Sequence, residues 1–91
     1  MTMNSEITMY STRFCPYCMR ARFLLESKNV EFNDIGVDAR PELRREMMEK
    51  SGRRTVPQIW IGDRHVGGYD DLAHLEQLGQ LDELLKQAAP A

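Results

Sequence analysis

Cys15-Pro16-Tyr17-Cys18 holds both cysteines of the chain, and their spacing is the feature best suited to chemistry. A thiol is a nucleophile only as its thiolate. A sulfur at the start of a helix meets unpaired N–H groups and the positive end of the helix dipole, and both favour negative charge. Pro16 marks such a start, because its missing N–H is no loss in a first turn. The dipole is worth about 0.3–1 kcal/mol, and about 2 at best. That is modest, so direct hydrogen bonds from the amide or thiol of Cys18 must add to it, with Arg13 or Arg20 as nearby charge. Three-residue spacing puts Cys18 on the same helix face, about 5–6 Å away. This lies inside the Cα separation of about 4.4–6.8 Å that a disulfide needs. The pair can therefore close and reopen a bridge across one turn. Cys18 sits a turn deeper and is expected to be the more buried and the less acidic sulfur. Cys15 attacks and Cys18 resolves.

Two quieter readings compete with this one. A Cys-x-x-Cys pair can be half of a zinc site, but four ligands are usual. Only His65 and His74 remain as candidates, nothing places them beside the motif, and no metal is expected. Buried cysteines also serve as plain core filler. Pro16, and a place between a strand and a helix, weigh against that here.

Periodicity predicts the strands and helices around the motif. Ile7-Thr8-Met9-Tyr10 alternates and is rich in β-formers, which predicts a strand. From Pro16 onward Cys18, Ala21, Leu24 and Leu25 recur at helical spacing, toward an end near Lys28-Asn29. Val30 to Val37 predicts a second strand. Pro41 opens a second helix, since Arg40 before it is pushed out of the helical region. Leu43 and Met47 mark its buried face, Glu46 and Lys50 stand at i,i+4 pairing distance, and Gly52 ends it.

Gln58 to Ile61 predicts a short apolar strand. Gly62-Asp63 turns the chain into a return strand, Arg64 to Val66, which Gly67-Gly68 breaks. Asp70 suits the N-cap of a helix carrying Leu72, Leu75 and Leu78. A last amphipathic stretch carries Leu81, Leu84 and Leu85, and Ala88 to Ala91 are expected to fray. Trp60, Ile59 and Ile61 read as core on a strand buried on both faces, and Met47 and Met48 as packing. His65 and His74 read as exposed. The order βαβ, α, ββ, α implies an α/β fold: a right-handed crossover between parallel strands, an antiparallel hairpin edge, and a mixed sheet of about four strands with helices on both faces.

Length and charge set the limits. The 91 residues, 42% hydrophobic and 29% charged, suit one soluble domain over 1–91 with a core of about 7–85. One core leaves no room for an elaborate pocket, so a substrate must be gripped at the surface. A net charge of −2 argues against general nucleic-acid binding. Basic residues gather at 13–28 and 40–54 and acidic ones at 63–83. That is either a solvated mixed surface or a basic rim for a small anionic ligand, with carboxylates to meet its ammonium. Residues 1–6 lack the basic and apolar regions of a secretory signal, and no run is long enough to span a membrane. A cytoplasmic protein is expected, where structural disulfides are rare.

Cys15-Pro16-Tyr17-Cys18, Thr55-Val56-Pro57-Gln58 and Gly67-Gly68-Tyr69-Asp70-Asp71 together make the chain resemble a glutaredoxin of the dithiol class common in bacteria. The resemblance runs from about Ile7 to Leu85. It implies a thioredoxin-like fold, glutathione as co-substrate, and glutathionylated or disulfide-containing proteins as partners; a monomer is the default expectation. It further implies a cis Val56-Pro57 bond beside the active cysteine, with the Val56 backbone pairing to glutathione like an added strand. Gly68 and the amides near Asp70 and Asp71 would take the γ-glutamyl carboxylate, and Asp71 its ammonium. Asp70 is equally a plain helix cap. Tyr17 would pack over the bound sulfur, and Thr55 either contacts the ligand or shapes the backbone. Arg44 would meet the glycyl carboxylate, or is simply an exposed helix arginine; Arg53 and Arg54 would help through charge alone. Many relatives carry a lysine three residues before the first cysteine, where this chain has Thr12. Arg13 is the cation next to that position, though a one-residue shift points a side chain elsewhere. Tyr69 stands where relatives often carry something smaller.

The implied chemistry is two-stage exchange, in a family whose potentials run from about −200 to −230 mV. Three rivals remain at this level. One is a reductant recycled by thioredoxin reductase, which would need no glutathione groove. Another is a carrier of a glutathione-ligated [2Fe–2S] cluster, against which Pro16 stiffens the motif. The third is a purely structural thioredoxin-fold module, which a Cys15 inert toward every disulfide would favour.

Overall fold

A computed structural model describes residues 7–88. The expectation of no leader at residues 1–6 and, for 89–91, that of a frayed tail over Ala88 to Ala91 lie outside the described residues; Ala88 itself is the last residue of the final helix.

Strand β1 (Ile7–Ser11) runs through the middle of the sheet. Alternation sends Ile7 and Met9 into one core and Tyr10 into another on the opposite face. Helix α1 (Pro16–Ser27) begins with proline at its first position and buries Cys18, Ala21 and Leu25. It crosses over to β2 (Asn33–Gly36), which lies parallel to β1 with Thr8 opposite Asn33 and Ser11 opposite Gly36. β2 is shorter than the expected 30–37. Asn29 turns the chain at φ 59 after the helix, and Val30 and Phe32 pack against the core while staying outside the ladder. Val37, just past the strand, still donates its N–H to Ser11 at 2.8 Å.

Helix α2 (Pro41–Ser51) ends where expected, at Gly52 with φ 73. Its Met47 fills the second core with Tyr10, Val37 and Trp60. Glu46 and Lys50 form no ion pair with one another among the described residues; both turn to the Tyr10 hydroxyl instead. That hydroxyl donates to the Glu46 carboxylate and accepts from Lys50 Nζ at 3.3 Å. Burial, then the Glu46 hydrogen bond, push the Tyr10 phenol up to about 12. A phenol taken into the core must find a partner, and that need outweighs a surface pair worth a few tenths of a kcal/mol.

Strands β3 (Gln58–Ile61) and β4 (Arg64–Gly67) form the hairpin. β3 is antiparallel to β1, with Ile7 opposite Ile61 and Tyr10 opposite Gln58, and all four of its residues are buried. In β4, His65 faces Trp60 and Gly67 faces Ile59, so Val66 is the extra residue of a β-bulge. The sheet order is β2-β1-β3-β4.

Helices α3 (Tyr69–Gln77) and α4 (Leu81–Ala88) complete the chain. They cover the α1 face through Leu72, Leu75, Leu81 and Leu85, while among the described residues α2 is the helix that covers the other face. Leu78 was expected on the buried face of α3, but it caps the helix and is 53% exposed. The four-stranded mixed sheet with helices on both faces matches the expected architecture. Among the described residues no helix is long and apolar enough to cross a membrane.

Candidate active site

Cys15 is the N-cap of α1, extended at φ −121 and ψ 109. Its carbonyl already accepts the Met19 N–H at 3.0 Å, and its sulfur receives the N–H of Cys18 at 3.1 Å. One of the unpaired amides at the helix start is thus aimed at Sγ, the direct hydrogen bond that the dipole alone could not replace. The sulfur also lies 3.8 Å from the Val56 carbonyl, to which a protonated Cys15 thiol donates. Cys15 retains 9% exposure, whereas Cys18 has none. Burial, then the hydrogen bond with Cys15, push the Cys18 thiol up to about 12, while the Thr12 backbone and the Arg22 charge pull the other way. At neutral pH Cys18 is a thiol. Both cysteines are free.

The Val56–Pro57 peptide bond is cis. Beside it opens a pocket of about 340 Å³ lined by Tyr17, Arg53, Thr55, Val56, Pro57, Gly68, Tyr69, Asp70 and Asp71. Most sequence-selected residues meet here, gathered from the start of α1, the loop before β3 and the start of α3.

At α3 the cap differs from expectation. Gly68 is the N-cap, and Asp70 is an exposed residue of the first turn. Asp71 reaches back to accept the Gly68 N–H at 2.9 Å and takes Arg53 Nη1 at 3.0 Å. The Gly68 amide first, then Arg53, hold its carboxyl below the usual value, so it is ionised at neutral pH. Gly67 makes this possible. Its φ is 116, and a Cβ there would collide with Asp71 Oδ2, so the carboxylate occupies the space a side chain would need. At Gly68 an added Cβ would come only within 3.5 Å of the Pro57 carbonyl, an ordinary contact.

Two selected residues lie elsewhere. Arg44 Nη1 donates to the Arg54 carbonyl at 3.3 Å, bracing the loop from α2 without lining the pocket. Arg13 is exposed, with its N–H on Asp38 at 3.1 Å and its guanidinium 5.9 Å from the Phe14 ring. It edges a separate depression with Ser11, Thr12 and Asp38. In return, Arg53 and Tyr69 do line the pocket. The sequence marks Tyr69 only as an unusual occupant and Arg53 only as diffuse charge; the approach of Arg53 to Asp71 has no local signal across 18 residues.

His65, expected on the surface, is half-buried against Trp60, with ring centroids 4.7 Å apart, and touches Gln58. The sheet register, invisible in the hairpin's own letters, draws it in. His74 is exposed, as expected. Among the described residues no three His, Cys, Asp or Glu side chains cluster as a metal site. A larger depression of about 610 Å³ lies between α1 and α3, lined by Met19, Phe23, Leu24 and Tyr69 among others. No residue lining it touches either cysteine sulfur by hydrogen bond, whereas the smaller pocket is lined by Val56, whose carbonyl lies 3.8 Å from Cys15 Sγ, and is the candidate active site.

Comparison with known proteins agrees with this geometry. The glutaredoxin family model matches residues 7–66. A glutaredoxin of Pseudomonas aeruginosa is 56% identical over 79 residues, covering 87% of this chain and 94% of that protein. The solution structure of a Brucella melitensis glutaredoxin superposes with a TM-score of 0.82 at 52% identity, covering 97% of this chain and 96% of the other. The crystal structure of a buckwheat glutaredoxin–glutathione complex gives a TM-score of 0.87 at 26% identity, covering 96% and 83%.

Proposed function

The chain belongs to the glutaredoxin family, the thiol–disulfide oxidoreductases of thioredoxin-like fold, and from that premise we propose that glutathione is its co-substrate and Cys15 its nucleophile. The observation that carries this reading is the Cys15 sulfur, held by the Cys18 N–H at 3.1 Å and lying 3.8 Å from the Val56 carbonyl at the edge of a pocket that contains both a cation and a carboxylate. Glutathione presents a sulfur, two carboxylates and an ammonium. The Arg53–Asp71 pair offers the opposite charges for an amino-acid end group. Gly68 and the first turn of α3 offer amides to its carboxylate, and Thr55, Val56 and Pro57 offer an edge for its backbone. Tyr17, with Arg20 5.6 Å from its ring, flanks the sulfur end.

The reaction proceeds in two stages. The Cys15 thiolate attacks the glutathionyl sulfur of a mixed disulfide. The new S–S bond forms on Cys15, the old one breaks, and the protein thiolate leaves and takes a proton from water. A second glutathione thiolate then attacks that glutathionyl sulfur, forms oxidised glutathione and frees Cys15. With a protein disulfide, Cys15 forms the mixed disulfide, and Cys18 loses its proton and attacks the Cys15 sulfur. The intramolecular bridge closes, and the second protein thiolate departs with a proton. Keeping Cys18 protonated until that moment delays the second step until the first is complete. Glutathionylated and disulfide-bonded proteins are the partners proposed, and the cytosol, with its reducing glutathione pool, is the compartment that suits the chemistry. The two cores share one sheet, which supports reading the chain as one domain with its core over about 7–85.

Parallel assays test the proposal. Reduction of the cysteine–glutathione mixed disulfide should proceed with glutathione and its reductase, and not with thioredoxin reductase. Turnover only in the second system would overturn it.

A further inference from the structure

Gln58 is fully buried, yet both ends of its amide face polar groups. Its Nε2 lies 3.0 Å from the Thr55 carbonyl and 3.2 Å from the Thr55 hydroxyl. Its Oε1 lies 2.7 Å from His65 Nε2. A carbonyl can only accept, so the amide nitrogen must be the end that faces Thr55. The oxygen therefore faces His65, whose Nε2 must carry a proton. The register explains how these residues meet. Gln58 shares a face of β3 with Trp60, and Trp60 stands opposite His65. The Trp60 ring then fixes the imidazole, at an interplanar angle of 33°. Burial, then the Arg53 charge, lower the His65 pKa against the opposing pull of Asp71. Protonating the ring would leave the Nε2 donor in place in any case.

We propose that Gln58, oriented by His65, is a positioning residue that holds the Thr55–Val56 main chain in register with Cys15. A buried amide satisfied at both ends is rigid, because turning it over would leave unpaired groups without water. Its donor end grips Thr55, which lines the pocket, and the next residue brings its carbonyl to 3.8 Å from the Cys15 sulfur. The fixed hairpin thereby sets the loop wall of a pocket whose other walls are the starts of α1 and α3. The inference takes its ligand from the proposed function, so its test carries one readout that needs no glutathione.

Three variants make that test. Gln58→Met keeps size and burial without the amide; His65→Phe keeps the stack on Trp60 without the donor; His65→Gln restores an N–H near the same point. Steady-state turnover of the cysteine–glutathione mixed disulfide gives KM and kcat, and NMR gives amide exchange at Thr55 and Val56. In Gln58→Met and His65→Phe, KM should rise about tenfold, the factor one net hydrogen bond supplies. kcat should stay within about twofold, the pattern of lost uniform binding. Exchange at Thr55 and Val56 should quicken by about the same tenfold factor, and His65→Gln should return both readouts toward the parent protein. Unchanged KM and loop exchange would overturn the proposal, and so would exchange that rises equally in β1, β3 and α1. If the parent protein fails to turn over the glutathione substrate, the ligand reading falls, and loop exchange alone decides the role of Gln58.

Discussion

The backbone N–H of Cys18 points at the sulfur of Cys15 from 3.1 Å, while the thiol of Cys18 is closed off from solvent. One residue thus plays two parts: its amide favours charge on its neighbour, and its own sulfur is kept neutral by burial. The asymmetry predicts a split between the two cysteines. Cys15→Ser should abolish turnover of glutathione mixed disulfides and of protein disulfides alike. Cys18→Ser should keep the first activity within about threefold and lose the second, since only the second needs a resolving thiol. Equal loss in the two variants would contradict the assigned roles.

Alkaline pH should weaken the fold. The folded Cys18 and Tyr10 ionise only near about 12, against ordinary values of 9.0 and 10.0. Both groups are raised, so their contributions are fully present below the ordinary values and are lost as pH climbs toward 12. Thermal melting from pH 8 to 11 should show Tm falling above pH 9. The fall should be shallower in Cys18→Ser and in Tyr10→Phe. A flat profile in the parent protein would show that neither group is held neutral by the fold.

Asp71 shows the opposite sign. Its folded pKa lies below 3.8, so its contribution is complete above that value and fades only as pH drops through the folded one. Across pH 5–8 it should impose no pH dependence on KM. Asp71→Asn keeps an oxygen for the Gly68 N–H but removes the charge. KM for the glutathione substrate should rise about tenfold, within the range of one charged hydrogen bond, and Tm should fall only slightly, because a half-exposed charge contributes little. Asp71→Ala should raise KM as much and also lower Tm. Similar Tm losses in the two variants would mean that charge, not capping, stabilises the α3 start.

Gly67 and Gly68 should differ sharply. Gly67→Ala forces a Cβ into the Asp71 carboxylate at a φ of 116 and should cost about 1–3 kcal/mol, the range for a residue held in such backbone. Gly68→Ala meets only an ordinary contact with the Pro57 carbonyl and should cost well under half as much. Chemical denaturation of both variants decides the matter.

Arg53 and Arg13 separate the pocket from the rim. Arg53→Ala removes a cation that lines the pocket and should raise KM severalfold, an effect weakened by salt. Arg13→Ala, whose side chain lies toward Phe14, should leave KM within about twofold, as surface charges away from a site usually do. A larger effect at Arg13 would move the glycyl end of the ligand toward the 11–13 segment.

What depends on near neighbours can be read from the letters: Pro16 opening α1 beside Cys15, the three-residue reach to Cys18, the alternation of β1, and the Gly52 stop. From these and the three motifs the architecture and the family were legible, because their signals are local and periodic. Tertiary structure alone decided which side chains met across the sheet. Glu46 and Lys50 left each other for Tyr10, 36 and 40 residues away; Arg53 found Asp71; Gln58 found His65 and Thr55; Arg44 and Arg13 stayed outside the pocket. The helix cap moved from Asp70 to Gly68 because Gly67 made room for the Asp71 carboxylate. The physical reason is common to all of these. A buried polar group takes the partner that strand register and chain reversal bring within about 3 Å, and neither distance is written in the letters beside it.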